Sequence, residues 1–432
     1  MRERARDLVR NNPHATKAVQ VLVANKIGTG IMAQASASNA RRVKRIEERW
    51  KRWVDSCDFT RRTDLYGIQA LVERTRVESG EALVRFIRTP MDGSQDVPFR
   101  LEVLEPDFIN DSINRTIGDN RYIKHGIEYE GARVVAYWLY ESHPGDGLSY
   151  APKREFNSVR VPASEIIHYY KTSRPGQTRG MTDFASVMLR LRALDDYDDA
   201  EVMRKKIAAC LSAFVTTAAG LPGASLGPTA LDADSNRVET FTPGMIPYLK
   251  PGESVVVADP KPSTDYKQFQ NVQLHAIAAG LGMPYELLTG DLSEVNYTSH
   301  RGGLVQFRGI VEADQWQLVV PQLCAPISRR FTEEVARIDP QVDANTRWTY
   351  TPPKFGLLDP SKEIPAMIES IQSGIESYPN VVRGQGYDWE EKLDEIEMFQ
   401  REVEKRGIKL TSVPSESPVQ APPEVNEDAE AA

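Results

Sequence analysis

Residues 182–213 carry the clearest helical period in the chain, and the segment after them limits the architecture. Phe184, Val187, Met188, Leu191 and Leu194 step by three and four residues, the spacing of one buried helix face. The polar side runs acidic first, at Asp195, Asp196, Asp198, Asp199 and Glu201, then basic at Arg204, Lys205 and Lys206. Late cations suit the helix dipole. Residues 214–262 are rich in Gly and Pro, with one short apolar strand at 255–257. Helix then returns over 263–281 through Tyr266, Phe269, Val272 and Ile277. A long helix, a loop-rich insertion and a returning helix set the frame for the rest of the chain.

Upstream, residues 1–27 read as helix, with Pro13 marking a break or a second start. Residues 40–54 form a strongly basic helix with Val43, Ile46, Trp50 and Trp53 on one face, and residues 63–79 form a third helix. The period then changes. Glu81–Arg88 and Phe99–Leu104 are short apolar bursts bounded by Pro, Gly and Asp, which read as strands. Residues 127–129 and 134–139 flank Glu130-Gly131 as a hairpin, 142–157 is a loop, and 165–170 is a strand. Downstream of the second long helix, 283–300 reads as an irregular loop and 299–337 as a long helix. Pro321 and Pro326 are expected to kink that helix, since each removes a backbone donor. Residues 360–406 give two helices about a hinge at 379–386. From Val413 the composition is Pro, Ser, Glu and Ala without periodicity, which predicts a disordered acidic tail.

Charge is unevenly spread. The chain of 432 residues has net charge −8, yet residues 1–62 carry fifteen Lys/Arg against six Asp/Glu, and 388–432 carry thirteen Asp/Glu against five Lys/Arg. A basic head and an acidic tail point to contacts between subunits or with a polyanion. Tight nucleic-acid binders usually show a basic excess overall, and this chain does not. No apolar run approaches the ~18–20 residues that span a bilayer, and the N-terminus lacks a signal-peptide core. A soluble chain with no membrane association is expected. Cys57, Cys210 and Cys324 are far apart and not in CxxC spacing, which fits a reducing compartment.

No catalytic motif is complete. Gly223-Ala-Ser225-Leu-Gly227 matches G-x-S-x-G, but Pro222 and Pro228 bracket it in a loop, where the motif requires strand before and helix after. Gly28-Thr-Gly30 is not followed by GK[ST], and no Walker A sequence occurs. None of the six histidines, His14, His125, His143, His168, His275 and His300, has i, i+3 or i, i+4 spacing to another. Asp195–Asp199 reads either as a divalent-ion site or as a solvated helix face, since carboxylates in such a run fan out around the helix. Trp50 and Trp53 read either as a core face or as a base-stacking pair beside Arg49, Lys51 and Arg52. No catalytic residue, cofactor or metal ligand is assigned.

Six segments, in order, resemble the lambda-type phage portal proteins, the head–tail connectors. They are ARDLVRNNPHATKAVQVLVANKIGTGI, LEVLEPDFI, GIEYEGARVVAYWLYESHPGD, VPASEIIHYYKTSRPGQTRG, the helix with LDDYDDAE, and IAAGLGMPYELLTGDLSEVNYTSHRGGLVQF. The resemblance runs over roughly residues 4–400. It implies an α+β chain with a mainly α-helical portal fold and a β-rich wing module, forming a ring of about twelve subunits. On that resemblance, 1–180 is the wing, 181–213 and 263–281 are stem helices, and 214–262 is the clip. Residues 282–300 are the tunnel loop, 301–359 a kinked helix returning to the wing, 360–410 the crown, and 411–432 the tail. Asp291, Leu292, Ser293, Glu294, Val295, Asn296 and Tyr297 are the expected channel-facing loop residues, and Arg204, Lys205 and Lys206 the stem channel charges.

The implied partners are other copies of the chain, the terminase large subunit, the major capsid or scaffold protein, a head–tail adaptor, and double-stranded DNA in transit. The implied location is the portal vertex of a virion or gene transfer agent, assembled in a bacterial cytoplasm. An acidic chain without a catalytic site suits a conduit, because every neutralised phosphate adds affinity that would hold the duplex. Two alternatives stand. One is a metal-dependent DNA-processing enzyme using Asp195–Asp199 with 41–62 as the DNA arm. The other is a head–tail adaptor without a DNA channel.

Overall fold

Pro13 divides the N-terminal helix, as its missing N–H requires. In the computed structural model α1 (Arg2–Asn11) ends at Asn12, whose side chain caps α2 (Pro13–Lys26) by accepting the Ala15 N–H at 2.9 Å. Residues 1–432 are described except 37–39, 92–96, 146–156, 210–212, 218–228, 232–236, 240–252, 258–264, 294–295, 354, 358 and 408–432. The chain divides into two units, Met1–Leu358 and Asp359–Ala432.

In the first unit β1 (Met32–Ser36) is followed by α3 (Ala40–Val54) and α4 (Leu65–Ser79). Asp64 caps α4 by accepting the Gly67 N–H at 2.7 Å, and Gly80 closes it in the left-handed region at φ 93°. A Cβ on Gly80 would also sit 2.5 Å from the Met181 carbonyl carbon, so two backbones cross there. β2 (Glu81–Arg88) and β3 (Phe99–Leu104) pair antiparallel. A five-stranded antiparallel meander comes next: β4 (Arg115–Gly118), β5 (Arg121–Lys124), β6 (Ile127–Glu130), β7 (Arg133–Tyr140) and β8 (Ser158–Pro162). β9 (Ile166–Tyr170) returns to pair with the other edge of β2.

A 3-10 turn, Asp183–Ser186, leads into α5 (Met188–Ala209). The insertion after it contains β10 (Ala213–Thr217), β11 (Thr229–Leu231), β12 (Arg237–Glu239) and β13 (Glu253–Val257), paired β10–β13 and β11–β12. Helices α6 (Tyr266–Leu281), α7 (Tyr285–Thr289) and α8 (Tyr297–Asp314) come after it. A π-helical stretch, Gln315–Cys324, joins α8 to α9 (Ala325–Ile338), and β14 (Arg347–Thr351) pairs with β1. The kink expected at Pro321 takes the form of this widened stretch. Pro321 cannot donate to the i−4 carbonyl, and the Ala325 N–H reaches back five residues to the Val320 carbonyl. Pro326 is the second residue of α9, which runs on from the π-helical stretch with helical backbone at Cys324.

Three buried clusters hold the unit. The first joins α3, α4, β2, β3, the π-helical stretch and α9 around Trp50, Trp53, Phe99 and Phe331. The second joins α1, α2, the start of α5, and α6 to α8. The third lies between the sheets, around Ile127, Tyr137 and Leu139. Trp50 and Trp53 are 4% and 1% exposed, and the Trp53 indole N–H donates to the Phe99 carbonyl at 3.0 Å. They form core and cannot stack on bases.

Among its described residues the second unit has three helices, α10 (Pro360–Gln372), α11 (Tyr378–Gly384) and α12 (Trp389–Arg406). The hinge expected at 379–386 is thus mostly a short helix. Ser377 caps it by accepting the Asn380 N–H, and Pro379 fits its first turn. Among the described residues of this unit only Val382 is a buried apolar side chain, while Ile364, Ile368, Ile375, Leu393, Ile396 and Phe399 are exposed. The expected tail from Val413 falls outside the described residues.

Candidate functional site

The elements expected to line a channel are α5, α6 and the link from α7 to α8. α5 is anchored in the second core at its start and packs on α6 further along. Phe184, Val187, Met188, Leu191 and Leu194 are buried in the second core, as the spacing predicts. Asn12 Nδ2 donates to Asp195 Oδ1 at 2.6 Å, tying α5 to the cap of α2. Further along, Asp198 Oδ1 accepts from the Tyr266 hydroxyl and from Gln270 Nε2, both at 3.0 Å, and Tyr197 packs on Phe269 at 4.6 Å between ring centres. α6 leans most closely on the turn before α5 at Gly280, where a Cβ would lie 2.3 Å from Val187 Cγ1. Its core face is Leu274, Ile277, Ala278 and Leu281. Phe269 and Val272, expected on that face, are 40% and 64% exposed, because only the C-terminal half of α6 meets the core.

The acidic run on α5 does not converge on a metal. Asp195 is held by Asn12, Asp196 accepts from Arg192 at 3.1 Å, and Asp198 faces α6. Of the expected stem charges, Arg204 is paired with Glu201, while Lys205 and Lys206 are exposed. Lys205 Nζ lies 5.4 Å from the centre of the Tyr266 ring.

The expected loop 282–300 is shorter than its sequence suggests. Residues 285–289 are helical (α7), with Leu288 buried and Leu287 packed against the same core, so both leucines are held within this chain. α8 begins at Tyr297 with Asn296 as its cap, accepting the Ser299 N–H at 2.8 Å. The non-helical link is therefore 290–296. Asp291 accepts the Ser293 N–H at 3.0 Å, and the Ser293 hydroxyl and N–H hold its carboxyl below the usual range. Leu292 is 61% exposed, Ser293 and Asn296 are exposed, and Glu294 and Val295 lie outside the described residues, as does the side chain of Tyr297.

What fixes these elements is a buried ionic network that the sequence pattern does not reveal. Glu73 on α4 receives Arg76 at 2.9 and 3.0 Å, the Tyr169 hydroxyl at 2.6 Å, and Lys26 at 3.3 Å. Arg76 also grips both oxygens of Asp183, in the turn leading to α5, at 2.9 and 2.8 Å. Lys26, at the end of α2, reaches Asp314 at the end of α8 at 2.7 Å, and Lys171 reaches it at 2.6 Å. Burial pushes Glu73 up, but Arg76 and Lys26 outweigh it and hold the carboxyl at about 2. Burial likewise opposes ionisation of Asp314, and Lys26 and Lys171 bring it below the usual range. One polar centre thus joins α2, α4, the entry to α5 and the exit of α8. Its only sequence signal is charge set into apolar helix faces, such as Lys26 following Val19, Leu22 and Val23.

Among the described residues one group has metal-like spacing: ligand atoms of Glu105, Asp107 and His143 lie within 4.8 Å of one another. An arginine already fills it. Arg6 Nη2 is 2.8 Å from Glu105 and also bonds Asp107. The His143 Nδ1 accepts the Gly145 N–H at 3.0 Å, which leaves its other ring nitrogen protonated and facing Glu105 at 3.3 Å. The G-x-S-x-G segment at 223–227 lies outside the described residues. Cys57 and Cys324 are buried free thiols, both pushed up by burial.

The chain is a mixed helix-and-sheet fold in which α5 and α6 flank a stranded insertion and follow a β-rich module. Residues 1–315 match the family described as "Phage portal protein, lambda family". The chain belongs to that family, a structural class of ring-forming virion proteins, and its function is that of a portal, the head–tail connector. It is 27% identical over 431 residues to the probable portal protein of Halomonas phage phiHAP-1, covering 94% of this chain and 81% of that one. It is 25% identical over 446 residues to portal protein B of Escherichia phage lambda, covering 90% and 81%. A chain of the structure titled "Neck of native GTA particle computed with C12 symmetry" aligns at TM-score 0.49 and 14% identity, covering 88% of this chain and 93% of that chain.

Proposed function

We propose that copies of this chain close into a ring of about twelve subunits at one capsid vertex, and that double-stranded DNA is packaged and ejected through its axis. In this reading α5 and α6 are the stem, 214–262 is the clip that docks the terminase large subunit and later a head–tail adaptor, and the link 290–296 faces the channel. Residues 1–180 form the wing toward the capsid or scaffold protein, and 360–410 the crown.

The observation that carries the ring is the apolar surface this chain leaves open on those elements. Leu189 on α5 is 79% exposed, Val272 on α6 is 64%, and Ile368 and Phe399 on α10 and α12 are 51% and 56%. Large apolar side chains left this exposed on helices are what a neighbouring subunit would cover. The test is native mass measurement with electron microscopy. One large species near twelve subunits with an axial hole supports the reading, and a stable monomer or dimer at micromolar concentration across salt conditions overturns it. Replacing 214–262 with a short Gly/Ser linker should leave rings intact and abolish motor binding. The chain alone should show no ATPase, nuclease or esterase activity.

A further inference from the structure

We propose that the arginine cluster at the end of α9 is a docking surface for the phosphate backbone of duplex DNA lying outside the channel. Two nearly buried carboxylates, Glu334 and Asp339, are 4% and 5% exposed. Glu334 Oε1 receives Arg337 at 2.8 Å and Arg330 at 2.9 Å, with Arg88 at 3.7 Å. Asp339 Oδ2 receives Arg45 at 2.6 Å and Arg49 at 3.2 Å. Five guanidinium groups from α3, α9 and the end of β2 thus meet two carboxylates, a surplus of three positive charges. The other exposed charges on the two helices do not cancel it: Glu48 and Glu333 stand against Arg42, Lys44, Lys51, Arg52 and Arg329.

One arginine per carboxylate would satisfy the core. The surplus is held at the surface, with the side chains of Arg88, Arg337 and Arg45 exposed by 73%, 57% and 49%. Each guanidinium has five N–H donors, and although Arg45 also gives one to Gln341 at 2.9 Å, the exposed Arg88, Arg337 and Arg45 keep donors for an outside acceptor. Arg330 is braced 5.7 Å above the centre of the Phe86 ring. Crowded like charges raise the free energy until an external anion meets them. All five are arginine, the side chain suited to two-point contact with phosphate.

A duplex offers one negative charge per ~1.7 Å of axis, dense enough to answer five guanidiniums at once. The acidic C-terminal segment of another copy is the rival occupant, and it is sparse, with five carboxylates in residues 413–432. This surface is built on the first core, whereas α5, α6 and α7 rest on the second, so it goes beyond the channel reading.

The test uses the full chain and a closed minicircle of about 200 base pairs, which cannot thread a closed ring. The double variant Arg88→Gln/Arg337→Gln should bind the minicircle about tenfold more weakly at low salt. Its log–log salt slope should fall by about 1.8, two phosphate contacts' worth. The control double Lys124→Gln/Arg133→Gln, two exposed cations of the meander, should bind as wild type does. Ultraviolet cross-linking of the wild-type chain to the minicircle should place adducts on α3 or α9, a readout independent of variant folding. Equal losses in the two doubles, no binding by the wild type, or adducts confined elsewhere would overturn the proposal. So would a 413–432 peptide that binds the wild type and not the patch variant, with minicircle binding unchanged between them.

Discussion

Glu73 and Asp291 are both carboxylates held below their ordinary range, and they are held by opposite physics. Glu73 is fully buried, opposed by desolvation and rescued by Arg76 and Lys26. Asp291 is half-buried and is lowered chiefly by one serine, two residues on, with Lys267 of α6 adding to it. Glu73 joins α2, α4 and β9 and, through Arg76 and Lys26, the entry to α5 and the exit of α8, whereas the hydrogen bonds to the Asp291 carboxylate come from Ser293 in its own turn. The portal fold thus places its rigid polar centre where α5 and α8 attach and leaves the expected channel link structurally light. Perturbing the two places should therefore have effects of very different size.

The largest effect should come from Glu73→Gln. It strands Arg76 and Lys26, both almost fully buried, with one fewer counter-charge. Removing one partner of a buried pair typically costs about 3–5 kcal/mol, and chemical denaturation of the variant measures it. Acid should attack the same centre. Glu73 in that centre, and Glu81 at the start of β2 in a separate cluster with His168 and Arg179, sit at about 2 in the folded chain, against an ordinary carboxylate value near 4.5. The unfolded chain therefore binds their protons first as pH falls. Their stabilisation is fully present above about 4.5 and is lost progressively toward 2. Unfolding followed by circular dichroism should steepen across that window, and Glu73→Gln should flatten it. A slope unchanged by the variant would place the acid-sensitive group elsewhere.

A smaller effect is expected at Gly280. Any side chain there meets Val187, which is 1% exposed and cannot withdraw. Overpacking of this kind costs about 1–3 kcal/mol, so Gly280→Ala should lower the melting temperature while the remote Gly309→Ala, with open space around it, should not. Smaller again is Asn296→Ala, which removes the cap of α8 and should cost about 1 kcal/mol.

How much of this was legible in the sequence depended on how far each signal reached along the chain. The buried face of α5, the break at Pro13 and the hairpin of β6 and β7 are local and periodic, and they were readable. β4 was not, since all four of its residues are exposed and it shows no alternation. α7 was not, because Pro284 and Gly290 bracket only five residues and read as loop punctuation. α6 misled because apolar period continues past the half that the core covers. The ionic centre was invisible for a different reason. Lys26, Glu73, Asp183 and Asp314 become partners only once the fold brings them together, and a charge in isolation reads as surface.

The least effect on stability, and the sharpest separation of the two regions, should come from the link itself. Residues 291–297 replaced by Gly and Ser of equal length, with Asn296→Ser to preserve the cap, lose no buried apolar side chain among the described residues. Surface changes of that kind are close to neutral, so the melting temperature should move by no more than about 2 °C. Rings should still form. If the link faces DNA, as we propose, removing the carboxylates Asp291 and Glu294 takes away groups that repel phosphate, and removing Leu292 and Val295 takes away side chains that brush the duplex without pairing to it. Full-length genome should then be packaged poorly or leak from filled heads, measured as the length and amount of nuclease-protected DNA. Wild-type packaging and retention in that variant would show that 290–296 only connects two helices, and the channel role would have to move to the exposed faces of α5 and α6.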